Sequence, residues 1–270
     1  MSTQGPGMID LHNHLVYGAD DGAVDIDESL EIARQFAAEG VTIVVATPHF
    51  DGDKPRPLSI VMLRERVAEL REAIAANNIP VDLYCGNEIY LTPDVPTLLE
   101  QGAIACLGAT RAILTEVSLM SEKMPLYLED TVFRLQLAGY QVVLAHPERY
   151  GFVQRDPSSL DTLVERGVAL QLTAPARLGE YGSAIRRTAE KLLSRGHYQM
   201  AASDRHHPGG ARSLMATHTR IAELAGDDQA DLLLKENPAR LLAGRALREA
   251  RTLSEAATPS LFQRLLRRSG

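Results

Sequence analysis

A chain of 270 residues, 45% hydrophobic and 23% charged, has the make-up of a soluble globular protein with room for one large α/β core. Its formal net charge of −7 argues against nucleic acid as the main partner, because a polyanion is gripped by a basic surface. Cys85 and Cys106 are its two cysteines, too few for a disulfide framework. They fit a reducing cytoplasm, as does the lack of a signal peptide or of the ~20 apolar residues that span a bilayer.

In chain order, a short apolar segment over 7–11 runs directly into His12-Asn13-His14. Residues 27–39 carry Leu30, Ile32, Ala33, Phe36 and Ala37 at helical spacing before Gly40. A β-type run over 41–46 leads to His49, and a polar stretch over 51–57 is expected to form a mobile flap. A long amphipathic helix is predicted over 59–77, then an apolar run over 81–85 ahead of Glu88. Further β-type runs at 112–115, 141–145, 168–172 and 198–203 alternate with helices predicted over 125–138, 158–166 and 183–195. Helices are also predicted over 213–225, 228–235 and 238–250. The division into a body over 1–250 and a tail over 251–270 rests on a short basic amphipathic stretch at 260–268.

Seven strands alternating with helices mean a parallel sheet. Six of the seven runs end in a residue able to hold a metal. A doubly wound sheet concentrates its site at one switch point, so ligands from so many strand ends favour a closed ring, with the chemistry at the carboxyl rim. The fold class expected is therefore α/β, a TIM-like barrel of seven strands. The candidate ligands are His12, His14, Asp21, His49, Glu88, Glu116, His146, Asp204 and His206. Imidazole and carboxylate together suit zinc, manganese or iron. On a strand, H-x-H puts both imidazoles on one face. Asp20 is an alternative to Asp21, since the sequence does not say which neighbour turns inward.

Ile9 to His14, the run Asp20-Asp21-Gly22, Pro48-His49, Asn87-Glu88-Ile89-Tyr90, His146-Pro147-Glu148-Arg149-Tyr150 and Ser203-Asp204-Arg205-His206 together resemble the polymerase and histidinol phosphatase superfamily. Within it the chain is similar to the bacterial manganese-dependent tyrosine phosphatases of capsule and exopolysaccharide loci, the CpsB/YwqE type. The resemblance spans about Met8 to Leu242 and implies a distorted (β/α)₇ barrel with three divalent ions, manganese first, iron or zinc as alternatives. It implies a first ion on His12, His14, Glu88 and Asp204, a second on Glu88, Glu116 and His146, and a third on Asp21, His49 and His206. Asn13 is expected to be indifferent. The implied partner is a phosphotyrosine protein, a bacterial tyrosine autokinase, with any membrane association made through that kinase.

Two cations a few ångströms apart can share a hydroxide and clamp phosphoryl oxygens. Arg149 and Arg212, both expected at the rim, are candidates to grip the phosphate. A thiolate phosphatase needs C-x5-R, but six residues on from Cys85 and Cys106 stand Leu91 and Ala112, so a thiol mechanism is disfavoured. Tyr17, Phe50, Tyr90 and Tyr150 are candidates to line a phosphotyrosine slot. His197, His207 and His218 have no assigned role. A small-molecule phosphatase of the histidinol-phosphate type, a nuclease or phosphodiesterase, and a catalytically silent binding module remain as competing readings.

Overall fold

A computed structural model describes residues 7–51, 58–209 and 212–253. Among the described residues there are nine parallel strands: β1 (Met8–Asp10), β2 (Val41–Ala46), β3 (His49–Phe50), β4 (Asp82–Cys85), β5 (Glu88–Tyr90), β6 (Ala112–Glu116), β7 (Gln141–Ala145), β8 (Ala169–Thr173) and β9 (Tyr198–Ala202). They form two sheets, ordered β1-β2-β4 and β3-β5-β6-β7-β8-β9. The seven expected strands become nine because two are broken. Thr47 and Pro48 part β2 from β3, and Gly86 and Asn87 part β4 from β5. Pairing resumes beyond each break, with Ala46 beside Cys85 below and His49 beside Glu88 above.

Followed through the breaks, the strands run in sequence order from β1 to β9. Just past its two ends the chain meets itself. Asn13 bridges Arg205 in parallel. His14 N–H donates to Arg205 O, and Asp204 N–H donates to His12 O, each at 2.8 Å. The buried Asp10 carboxylate accepts from the Ser203 amide at 2.8 Å and its hydroxyl at 2.7 Å.

Alternate residues along the strands enter two different cores, which is why the runs read as continuously apolar rather than alternating. Ile9, Val45, Leu114, Val143, Ala169 and Met200 converge in an inner cluster with Leu107 and Leu241. Val44, Ile113, Val142, Leu144 and Leu170 face outward into the layer shared with the helices. The strands thus have an inner apolar cluster on one face and the helical coat on the other.

The helices are α1 (Ile26–Ala38), α2 (Ile60–Ala76), α3 (Val95–Glu100), α4 (Leu128–Leu137), α5 (Gly151–Arg155), α6 (Asp161–Glu165), α7 (Ala174–Leu178), α8 (Ser183–Ser194), α9 (Leu214–Ala225), α10 (Asp227–Asp231) and α11 (Asn237–Leu242). Asp25 caps α1 by accepting the Glu28 amide at 2.9 Å, and the Glu28 carboxylate accepts the Val24 amide at 2.8 Å. Leu30, Ile32, Ala33 and Phe36 form its buried face. A π turn over Leu232–Glu236 joins α10 to α11.

The helix expected over 238–250 is corrected: it ends at Leu242. Gly244 adopts φ +63° and stops it. The Asn237 side chain then captures the following chain, accepting from the Arg248 amide at 2.8 Å and donating to its carbonyl at 2.9 Å. The 260–268 stretch, and the proposed flap beyond Asp51, lie outside the described residues. Among the described residues no helix is long and apolar enough to cross a membrane.

Candidate metal centre

All nine expected ligands gather at the carboxyl rim, within four overlapping groups of potential metal donors. Glu88, at the start of β5 and 1% exposed, is the hub. Its Oε2 lies 3.1 Å from His12 Nε2, 3.4 Å from His14 Nε2 and 3.1 Å from His49 Nδ1. Its Oε1 lies 2.8 Å from His146 Nε2. Asp204 Oδ1 is 3.5 Å from both His12 Nε2 and His14 Nε2.

Toward the mouth, Asp21 Oδ1 is 3.6 Å from His49 Nε2 and from His206 Nε2, and the His206 ring stacks on His14 at 3.9 Å. Glu116, at the end of β6, lies 3.4 Å from His49 Nδ1 and 3.8 Å from His146 Nε2. The groups overlap rather than divide into three exclusive sets: His49, expected with Asp21 and His206, also reaches Glu88 and Glu116.

The neighbouring aspartates face different partners. Asp20 turns to His14 Nδ1 at 2.6 Å and the His49 amide at 2.8 Å, whereas Asp21 faces the two outer imidazoles. The loop can turn so tightly because of Gly22, where a Cβ would lie 2.0 Å from the His14 carbonyl oxygen. On the other side of the site His12 Nδ1 meets Gln171 Oε1 at 2.8 Å. An amide oxygen or a carboxylate only accepts, so both rings carry a proton on Nδ1 and present Nε2 to the centre. Two ligands sit on backbone that L-residues avoid, His146 at φ +34° and Asp204 at φ +52°.

Do these residues fit a cation? His12 Nε2, His14 Nε2 and Glu88 Oε2 are buried and make no hydrogen bond despite their proximity. A buried polar atom without a partner is costly, and three converging on one point are satisfied together by a divalent ion. The electrostatics agree. Burial opposes charge on His49, but Glu116 and Glu88 outweigh it and push its imidazole up to about 9. Burial likewise opposes charge on Glu88, yet His12, His14 and His146 hold its carboxyl well below the usual range. His206 is pushed down to about 4 by burial and by the charge on His14. Around Glu88 and His49 the pocket favours positive charge.

The ligands open onto a cleft of about 730 Å³ lined also by Phe50, Tyr90, Leu119, Arg149, Tyr181 and Arg212. Both expected arginines are therefore present. Arg149 Nη1 donates to Asp204 Oδ2 at 3.1 Å, and Arg212 Nη1 lies 2.8 Å from His206 Nδ1. Of the four aromatic candidates, Phe50 and Tyr90 line the cleft. Tyr17 instead donates to Glu69 and packs under Arg66. Tyr150 is buried beneath the site, donating to the Ala145 carbonyl at 2.7 Å.

His207 pairs with Glu28, His197 with Asp161 and His218 with Asp231, so none of the three joins the cluster. Asn13 is not indifferent: it is fully buried and its amide donates to Asp10 and to the Val45 carbonyl, each at 3.1 Å. Tyr181 and Gln171 were missed. Neither follows a strand in a metal-binding pattern, and only the H-x-H pair upstream hints that an orienting group is needed.

A family model for capsular polysaccharide synthesis, CpsB/CapC, matches residues 8–243. The tyrosine-protein phosphatase YwqE of Bacillus subtilis is 33% identical over 201 residues, 74% of this chain and 77% of that protein. The tyrosine-protein phosphatase CpsB of Streptococcus pneumoniae is 27% identical over 245 residues, 87% of this chain and 98% of that protein. A crystal structure from work on YwqE and CpsB, described as metal-dependent tyrosine phosphatases, superposes with a TM-score of 0.83 at 29% identity. It covers 92% of this chain and 98% of the other. With the family match running over nearly all of the barrel and its C-terminal helices, the chain belongs to the CpsB/CapC family of capsular polysaccharide synthesis.

Proposed function

We propose that this chain is a metal-dependent protein-tyrosine phosphatase whose nine imidazole and carboxyl ligands share three divalent ions, manganese by preference. The observation that carries the reading is the convergence of His12 Nε2, His14 Nε2 and Glu88 Oε2, buried and without hydrogen bonds, beside a cleft whose lining includes Glu88, Arg149 and Arg212. When bound, divalent ions supply an acidified water and positive charge for the phosphoryl oxygens.

The chain's own residues do the positioning. Gln171 and Asp20 fix the inner imidazoles through Nδ1, and Arg149 and Arg212 offer paired N–H donors to the equatorial phosphoryl oxygens. Tyr90 and Leu119 line the space left for an aryl ring. Phenol has a pKa of ~10 and leaves without much protonation, so the reading assigns no general acid.

The phosphoprotein served is, in this reading, a bacterial tyrosine autokinase of capsule or exopolysaccharide synthesis, met in the cytoplasm. The family description supports the link to capsule synthesis.

The test is a substrate panel on manganese-loaded protein: phosphotyrosine peptide, phosphoserine peptide, histidinol phosphate and a phosphodiester. Turnover should be highest on the phosphotyrosine peptide. Preference for histidinol phosphate would overturn the assignment, and preference for the diester would replace it with a nuclease.

A further inference from the structure

Loops from three consecutive strands meet on one wall of the cleft. Arg149 comes from the turn after β7, Tyr181 from between α7 and α8 after β8, and Arg212 from the loop after β9. The guanidinium carbon of Arg149 lies 4.8 Å over the Tyr181 ring. Arg212 Nη2 donates to the Tyr181 hydroxyl at 3.3 Å, and that hydroxyl donates to Asp204 Oδ2 at 3.4 Å. The same carboxylate oxygen accepts from Arg149, which leaves Oδ1 as the atom facing His12 and His14.

Two guanidiniums repel one another, and each long side chain loses rotamer freedom when fixed. A phenol answers both costs at once. Its negative ring face holds one cation, its oxygen lone pair holds the other, and its proton satisfies the carboxylate between them. Phenylalanine would supply only the first of these contacts, and an aliphatic residue none.

We propose that Tyr181 is a positioning residue that yokes Arg149 and Arg212 into one cradle for the oxyanion of a phosphate monoester. The inference rests on reading the cleft as a phosphomonoesterase site, and it adds a residue that touches the guanidiniums rather than the reacting atoms. It also explains why the two arginines, 63 positions apart in the sequence, stand on the same wall.

The experiment uses manganese-loaded full-length protein. The Kd for inorganic phosphate is measured by calorimetry, and KM and kcat on a phosphotyrosine peptide, for wild type, Tyr181→Phe, Tyr181→Leu, Arg212→Ala and the Tyr181→Phe/Arg212→Ala double variant. Tyr181→Phe removes the hydrogen bonds to Arg212 and Asp204 and should weaken phosphate binding and raise KM about three- to tenfold, a modest loss because Tyr181 acts through the guanidinium rather than on the phosphate, with kcat moved less. Tyr181→Leu should weaken both about ten- to thirtyfold, the ring contact being lost as well. With Arg212 already alanine, Tyr181→Phe should cost clearly less, since only the bond to Asp204 is left to lose.

Wild-type phosphate affinity in both single Tyr181 variants, at unchanged metal content and melting temperature, would overturn the proposal. So would a Tyr181→Phe penalty undiminished in the Arg212→Ala background. If phosphate binding depends on Tyr181 as expected while the peptide is not hydrolysed, the cradle stands and the choice of substrate falls.

Discussion

Asp20 and His14 are joined by a hydrogen bond of 2.6 Å from ring Nδ1 to carboxylate Oδ2. Because the carboxylate cannot donate, Nε2 is the atom left facing Glu88 and Asp204. Asp20 also holds the His49 amide, so one side chain outside the ligand set orients two members of it. Replacing it with alanine should lower manganese affinity about 10- to 100-fold, the usual effect of losing an orienting partner. Metal titration with kcat measured at saturating manganese checks this, and an affinity equal to wild type refutes it.

Glu88 touches four imidazoles. Glu88→Ala should cut kcat/KM by at least about 100-fold, more than an orienting residue would, while circular dichroism reports a folded chain. Retained turnover would remove Glu88 from the reaction.

Metal removal should act on both activity and stability. A ligand that binds only the folded state stabilises it by about 2.7 kcal/mol at one hundred times its Kd. Chelation should therefore abolish turnover and lower Tm by several degrees, and manganese should restore both. An unchanged Tm and rate after exhaustive chelation, with elemental analysis finding no transition metal, would sink the metal reading altogether.

Arg149→Ala should lower kcat/KM on the phosphotyrosine peptide by about 1.5–3 kcal/mol, the range for hydrogen bonds to charged groups. A rate unchanged from wild type would mean that the bond to Asp204 is all that Arg149 does.

Arg205 is buried between two ligand residues, and its guanidinium pairs with Glu39 at 2.6 Å, donates to Gln35 and lies over Phe36. Through this pair α1 holds the rim after β9, since Glu39 also accepts the Leu214 amide at 2.7 Å. Glu39→Ala leaves a buried cation without its counter-charge and should destabilise the chain by about 3 kcal/mol. Urea unfolding measures it, and a loss under 1 kcal/mol would class the pair with ordinary surface bridges.

The sequence was legible where geometry is periodic. Strands buried on both faces wrote themselves as apolar runs, and the residue ending each run fell at the rim, so His12, Glu88, His146 and Asp204 could be named without coordinates. What stayed hidden depends on contacts between distant loops. Tyr181 follows no pattern, and its role exists only because Arg149 and Arg212 meet there. Tyr150, directly after the turn that follows β7, looked like a cleft aromatic but was drawn under the site by the Ala145 carbonyl. The helix read through to residue 250 failed for a similar reason, because the Asn237 side chain binds the backbone at Arg248 in competition with helical pairing.

The left-handed backbone at His146 and Asp204 sets comfort against usefulness. Glycine would relax both positions, each worth of order 1–3 kcal/mol, yet the change would discard a donor to the cluster. A chain with glycine at both places should therefore melt later and hold its metal more weakly, trading chemistry for thermal robustness.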